Sequence, residues 1–329
     1  MGLALIVCFI INISLGSVSI PFKDVLSSLI SSSTNESWNY IIVDYRLPKS
    51  LTAIIAGGGL AVAGLLMQTL FRNPLAGPFV LGLSSGASLG VAILILGAST
   101  FGGAVGGFLL HSWGLVFASA LGSFLVLLAV MAVALRVKDT MAILIIGLMF
   151  GSVTGAVVSV LSYFSDAEQL QQYIFWSFGS LGNMSWLSLF ILSTSFIIGI
   201  LISITCIKSL NILLLGENYA KSMGLNFKRT TFLIILATSI LAGGITAFAG
   251  PIAFIGLAVP HLTRQFITTS NHKILLPAVL LCGSILMLIC DTIAQIPFSE
   301  YTLPINAITS LFGAPIVIWL LVRKRKLLF

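Results

Sequence analysis

The sequence predicts an all-α polytopic membrane protein, and three observations carry that expectation. Hydrophobic residues fill 58% of the 329 positions and charged residues only 8%, with a mean hydropathy of +1.14. A soluble domain carries about 25% charged residues. Between Arg72 and Arg136 the only ionisable side chain is His111. Apolar stretches also recur at about 20 residues, the length a helix needs to cross hydrocarbon. The length alone would allow two soluble domains, but no soluble surface can be made from this composition. Residues 1–329 are therefore read as a single membrane domain.

Ten spans follow: 3–20, 51–71, 79–98, 114–135, 141–164, 187–207, 230–249, 251–266, 274–294 and 304–322. The first carries Asn12, Ser14 and Ser17 and lacks the cationic flank of a signal peptide. The second, Leu51 to Phe71, has 21 residues without a charge and ends at Arg72-Asn73-Pro74. Spans three and four are joined by an uncharged glycine-rich run beginning at Phe101, and the eighth is short and interrupted by Pro260. With the N-terminus inside, 13 cations fall on the inner side. They are Arg72, Arg136, Lys138, Lys208, Lys221, Lys228, Arg229, Arg264, Lys273 and the four from Arg323 to Lys326. Lys23, Arg46 and Lys49 fall outside. That asymmetry places both termini in the cytoplasm. Trp38, Trp113, Trp176 and Trp186 then lie at outer ends, as interfacial tryptophans do.

The 31 glycines often sit three or four apart within spans, as at Gly57 to Gly59 with Gly64 and at Gly82, Gly86 and Gly90. Such spacing lets helix backbones approach closely. Ala76-Gly77-Pro78 and Ala249-Gly250-Pro251 each precede a glycine-containing span, five spans apart and so oppositely oriented. This is the pattern of an inverted internal repeat.

Few side chains could carry chemistry. The four cysteines lie in apolar segments without a C-x-x-C pair, and no metal site or disulfide framework is expected. Asp291 is the only carboxylate within an apolar span, near its outer end, where a structural role outweighs a functional one. His261 reads as a hydrogen-bonding group at a helix end. These two lie near opposite faces, so no catalytic triad forms. The Walker G-K-[ST] is missing, so energy must come from a partner or a gradient. A gradient-driven transporter would need midplane carboxylates, and an intramembrane enzyme would need a catalytic set. The longest charged inner loop, Leu215 to Arg229, repeats apolar residues at Ala220, Met223 and Phe227, the spacing of a short amphipathic helix. Span five offers a Gly147, Gly151 and Gly155 face with hydroxyls Ser152, Thr154 and Ser159. It is our candidate for lining a translocation pathway.

Several motifs occur in order: R-L-P-K from Arg46, Q-T-L-F-R-N-P-L-A from Gln68, L-G-L-S-S-G-A from Leu81, G-E-N-Y-A-K-S-M-G from Gly216, G-P-I-A-F-I-G-L-A-V-P-H-L-T-R from Gly250 and L-F-G-A-P-I-V-I-W-L-L from Leu311. Together they resemble the permease subunits of type II ABC importers for iron-siderophores, haem and cobalamin. That resemblance implies a permease pairing with a second permease, identical or different, and with two ATPase subunits that hold ATP and magnesium; no cofactor is expected on this chain. It also implies an extracytoplasmic binding protein delivering cargo, with iron(III)-siderophore the first expectation and haem or cobalamin the alternative. Gly216, Glu217, Ala220, Met223, Gly224 and Phe227 would form the helix that docks into the ATPase, with Gly224 buried there and Met223 replacing the usual leucine. Arg46 and Lys49 would meet acidic residues of the binding protein. Gln295 stands where a third cation is common in the family.

Overall fold

The computed structural model describes every residue apart from 17, 19, 31–35, 79–81, 98–111, 135–139, 183, 297, 298, 300 and 323–329. The glycine-rich run at 101–107, Arg136, Lys138 and the cationic tail lie outside the described residues. All regular structure among the rest is helical. In chain order the helices are α1 (Gly2–Ser14), α2 (Phe22–Ile30), α3 (Glu36–Tyr40), a π-helical turn (Ile41–Arg46) and α4 (Leu47–Phe71). There follow α5 (Leu83–Leu96), α6 (Ser112–Ala134), α7 (Thr140–Phe164), α8 (Ala167–Phe178) and α9 (Trp186–Thr205). The last are α10 (Ile207–Leu213), α11 (Glu217–Ser222), α12 (Phe227–Ala249), α13 (Ile255–Phe266), α14 (His272–Ala294) and α15 (Ile305–Val322).

Each predicted span has a helix. Five apolar stretches among the described residues are long enough to cross a bilayer: Ser37–Phe71, Ile145–Phe164, Trp186–Thr205, Phe227–Ala249 and His272–Ala294. Shorter apolar helices cover Gly2–Ser14, Leu83–Leu96, Gly114–Val130 and Ile305–Trp319. The eighth span is the 12-residue α13, about 18 Å long, and is a half-helix. The sequence reading missed α2 and α8, because neither is apolar enough to read as a span.

Helix α4 is the centre. Every residue from Ala56 to Thr69 is buried, and glycines permit that crowding. A Cβ on Gly57 would lie 2.2 Å from the Gly283 carbonyl oxygen, and one on Gly64 would lie 1.7 Å from that of Gly256. Backbones of α4, α13 and α14 therefore touch with no side chain between them. Helix α4 stops at Arg72, whose backbone is left-handed (φ 48°). The Asn73 side-chain oxygen then accepts from the Leu75 amide at 2.9 Å, forming the turn before Pro74.

The two A-G-P segments differ at their glycines, Gly250 lying at φ 72° and Gly77 outside the left-handed region, but the helices after them begin alike. Each leads to a helix entered through a left-handed residue, Gly82 (φ 76°) before α5 and Phe254 (φ 65°) before α13. Together they wall a cavity of about 220 Å³ lined by Gly77, Pro78, Ile252, Ala253, Phe254 and Leu148 of α7. Trp176 in α8 is not simply interfacial. Its indole N–H donates to the Ala247 carbonyl at 2.9 Å. Tyr173 in the same helix meets the Ser88 hydroxyl at 2.6 Å, and burial pushes its phenol up from the ordinary value.

Candidate coupling arm, translocation face and outer clamp

The inner loop between α9 and α12 folds as two short helices, α10 and α11, joined at Gly216, whose φ of 104° requires glycine. Helix α11 ends in a Schellman turn. The Leu225 amide donates to the Ala220 carbonyl and the Gly224 amide to that of Lys221, both at 3.0 Å, with Gly224 at φ 81°. Glu217 and Lys221 pair one turn apart at 2.6 Å on the solvent side, and the Lys221 ammonium sits over the Phe227 ring.

The expected apolar face divides. Ala220 is fully buried against the protein's own core, as are Leu210 and Leu213 of α10, so this face anchors the arm rather than offering it. Outward-facing instead are Leu215, Tyr219 and Met223, at 59%, 60% and 56% exposure. Tyr219 and Met223 lie one turn apart at α11, and Leu215 is exposed just before the Gly216 break, so the arm offers three apolar side chains among polar ones. Leu215 and Tyr219 escaped the sequence reading because the Ala220 register is equally periodic. In the chain alone Gly224 is exposed, and a Cβ there would meet nothing within 4 Å. Its requirement is conformational.

Helix α7 is largely exposed, and its candidate pathway residues fall on two faces. Gly147 and Thr154 turn inward, Gly147 against Gly82 and Thr154 bonded back to the Gly151 carbonyl. Gly151 is half-buried against Ser85. Ser152, Gly155 and Ser159 remain exposed and, with Leu148, follow i, i+4, i+7, i+11 along one side. Both hydroxyls bond to backbone carbonyls one turn back, so beyond Leu148 this side presents small, self-satisfied groups. Beside it runs a bulkier exposed ridge of Ile145, Met149, Val153 and Val160.

At the outer ends, the structure turns the expected docking cations inward. The Arg46 guanidinium donates to the carbonyls of Ile13 at 2.8 Å, Ser14 at 3.0 Å and Val18, satisfying the open end of α1. Lys49 is 7% exposed and pairs with Asp291, itself 2% exposed, at 3.3 Å. Asn12 and Gln295 donate to the same carboxylate at 2.9 and 2.8 Å, and the Ser50 hydroxyl donates to Asn12. Asp291 is enclosed although it lies near the outer end of its span. The reason is geometric. Arg46 and Lys49 do share a helical face, but that face looks at α1 and α14. Asn12, an amide inside a short apolar helix, was the signal that α1 carries a polar contact.

The His261 ring N–H donates to the Pro74 carbonyl at 2.7 Å, from the middle of α13 rather than its end, and ties that helix to the turn after α4.

Comparisons with known proteins bear on what this architecture serves. The sequence profile of the FecCD transport family matches residues 4–323. The chain belongs to that family. Among its relatives is the hemin transport system permease protein HmuU of Yersinia pestis, 35% identical over 318 residues, covering 95% of this chain and 91% of the relative. Another is the vitamin B12 import system permease protein BtuC of Salmonella typhi, 32% identical over 94% of this chain and 95% of the relative. A solved inward-facing metal-chelate type ABC transporter superposes with a TM-score of 0.82 at 30% identity, covering 98% and 97% of the two chains. PsaBC from Streptococcus pneumoniae shares the fold, with a TM-score of 0.56 at 16% identity. This FecCD member is thus a multi-pass transport subunit of an ABC importer, and not an enzyme.

Proposed function

We propose that this chain is the permease through which an ATP-driven importer carries an iron(III)-siderophore across a bacterial cytoplasmic membrane. Two permease copies or two different permeases would pair around this exposed side of α7. Two ATPase subunits, holding ATP and magnesium, would grip the arm at Gly216 to Phe227. An extracytoplasmic binding protein would deliver cargo from the other side. The observation that carries the reading is the exposure of Leu215, Tyr219 and Met223 on an arm whose other face is anchored in the core. Apolar side chains exposed on the charged inner side fit a groove of a partner protein. The exposed small side chains Ser152, Gly155 and Ser159 on α7 suit passage of a large chelate without trapping it. Haem is the second reading, favoured by the 35% identity to a hemin permease.

Replacing Tyr219 and Met223 together by alanine should remove the ATPase from the purified complex and leave membrane insertion intact. Co-purification at the wild-type ratio would refute the coupling role. Uptake of iron-55 ferric siderophore, haemin and cobalamin by cells lacking and regaining this chain identifies the cargo. Restoration of haemin uptake alone would replace siderophore by haem.

A further inference from the structure

Helices α4 and α14 are locked together along their length, and a buried polar cluster holds each end. At the inner end, the Asn211 side-chain oxygen of α10 accepts from the His272 amide at 2.9 Å and from its ring Nδ1–H at 2.8 Å. That acceptor fixes the tautomer, so Nε2 accepts from the Thr69 hydroxyl of α4, 2.9 Å away. The Asn211 amide also donates to the Asn271 side-chain oxygen at 3.1 Å. At the outer end, Lys49 of α4, Asp291 of α14 and Asn12 of α1 form the clamp already described. Between the clamps, Gly57 and Gly283 bring the backbones into contact, and the Ser284 hydroxyl donates to the Ile54 carbonyl at 2.8 Å.

Two helices in backbone contact, with buried polar bonds at both ends, cannot slide past one another without stranding polar groups away from water. They move together. The inner clamp reaches α10, four residues before Leu215, and the outer clamp reaches α1 and the π-helical turn that leads outward to Tyr45. We infer that the α4–α14 pair is a transmembrane strut carrying displacement of the cytoplasmic arm to the outer face, with Asn211, His272 and Thr69 as positioning residues at its inner end. The inference rests on the coupling reading of the arm. It adds the route: a pull on α11 passes along α10 to Asn211, which caps the first turn of α14, and from there through His272 to α4. Contiguous packed and hydrogen-bonded elements of this kind carry coupling between distant sites.

The test uses the whole importer, purified with its ATPase subunits and carrying Tyr45→Cys, an exposed outer position beside the outer clamp. Maleimide labelling at that position is measured with and without ATP and vanadate. Labelling of the parent is subtracted, since its four cysteines are buried or half-buried. Trapping should change the rate by about fivefold or more, the lower end of what coupled sites show. Asn211→Ala should abolish that change at unchanged ATPase content and basal hydrolysis, and so should the isosteric Thr69→Val. If Asn211→Ala does not assemble, Thr69→Val decides. A change that survives in the assembled variants, or a parent that shows none, overturns the strut. ATPase content after replacement of Tyr219 and Met223 tests the coupling reading separately, so the two failures are distinguishable.

Discussion

Removing the Lys49 ammonium is the sharpest test of how the outer end is built. In Lys49→Met the side chain keeps its length and apolar stem, while the Asp291 carboxylate stays enclosed without its counter-charge. Breaking a buried ion pair from one side costs about 3–5 kcal/mol. Asn12 and Gln295 still donate to that carboxylate, so the low end applies. For a chain of this size, at about 2.1 cal/mol/K per residue, about 3 kcal/mol lowers the thermal midpoint by about 4 °C. Lys49→Met combined with Asp291→Asn should recover most of the loss, because the asparagine oxygen still accepts from Asn12 and Gln295 and no charge is left alone. The assay is the midpoint of the purified importer in detergent by size-exclusion fluorescence, with capture of the extracytoplasmic binding protein measured on the same samples. A single variant with an unchanged midpoint and lost capture would return Lys49 to the docking role. A double variant no more stable than the single one would show that the ion pair is not the source of the effect.

Two further outcomes follow from backbone conformation and open space. Gly224→Val should weaken retention of the ATPase, since a branched side chain at φ 81° costs about 1–2 kcal/mol or more, whereas Gly224→Asn should retain it; equal retention by both would remove the conformational argument. Gly155→Trp, placed where a Cβ meets nothing within 4 Å, should block uptake while expression and basal ATP hydrolysis stay normal, and unimpaired uptake in cells would move the pathway off this side of α7.

Much of the fold was legible because membrane solvent imposes it. Backbone groups in hydrocarbon must bond internally, so long uncharged runs become helices wherever they occur. The end of the second span was legible too, at Asn73-Pro74, since those residues permit few conformations. The local periodicity of the arm was also plain, and so was the small-residue character of α7. Facing was not. Ala220 and Tyr219 are adjacent and both plausible on a docking surface; only the packing of α10 and α11 on the core decides that one anchors and the other is offered.

The sequence by itself determined the membrane class and where the apolar helices run, because each follows from hydrophobicity counted along one chain. Tertiary structure alone decided what Arg46, Lys49 and Gln295 do. Their partners, the end of α1 and the Asp291 carboxylate, lie more than 25 and, for Lys49, more than 200 residues away in sequence or on a neighbouring helix turn. A buried charge takes its role from whatever meets it in space, and no reading along the chain supplies that neighbour.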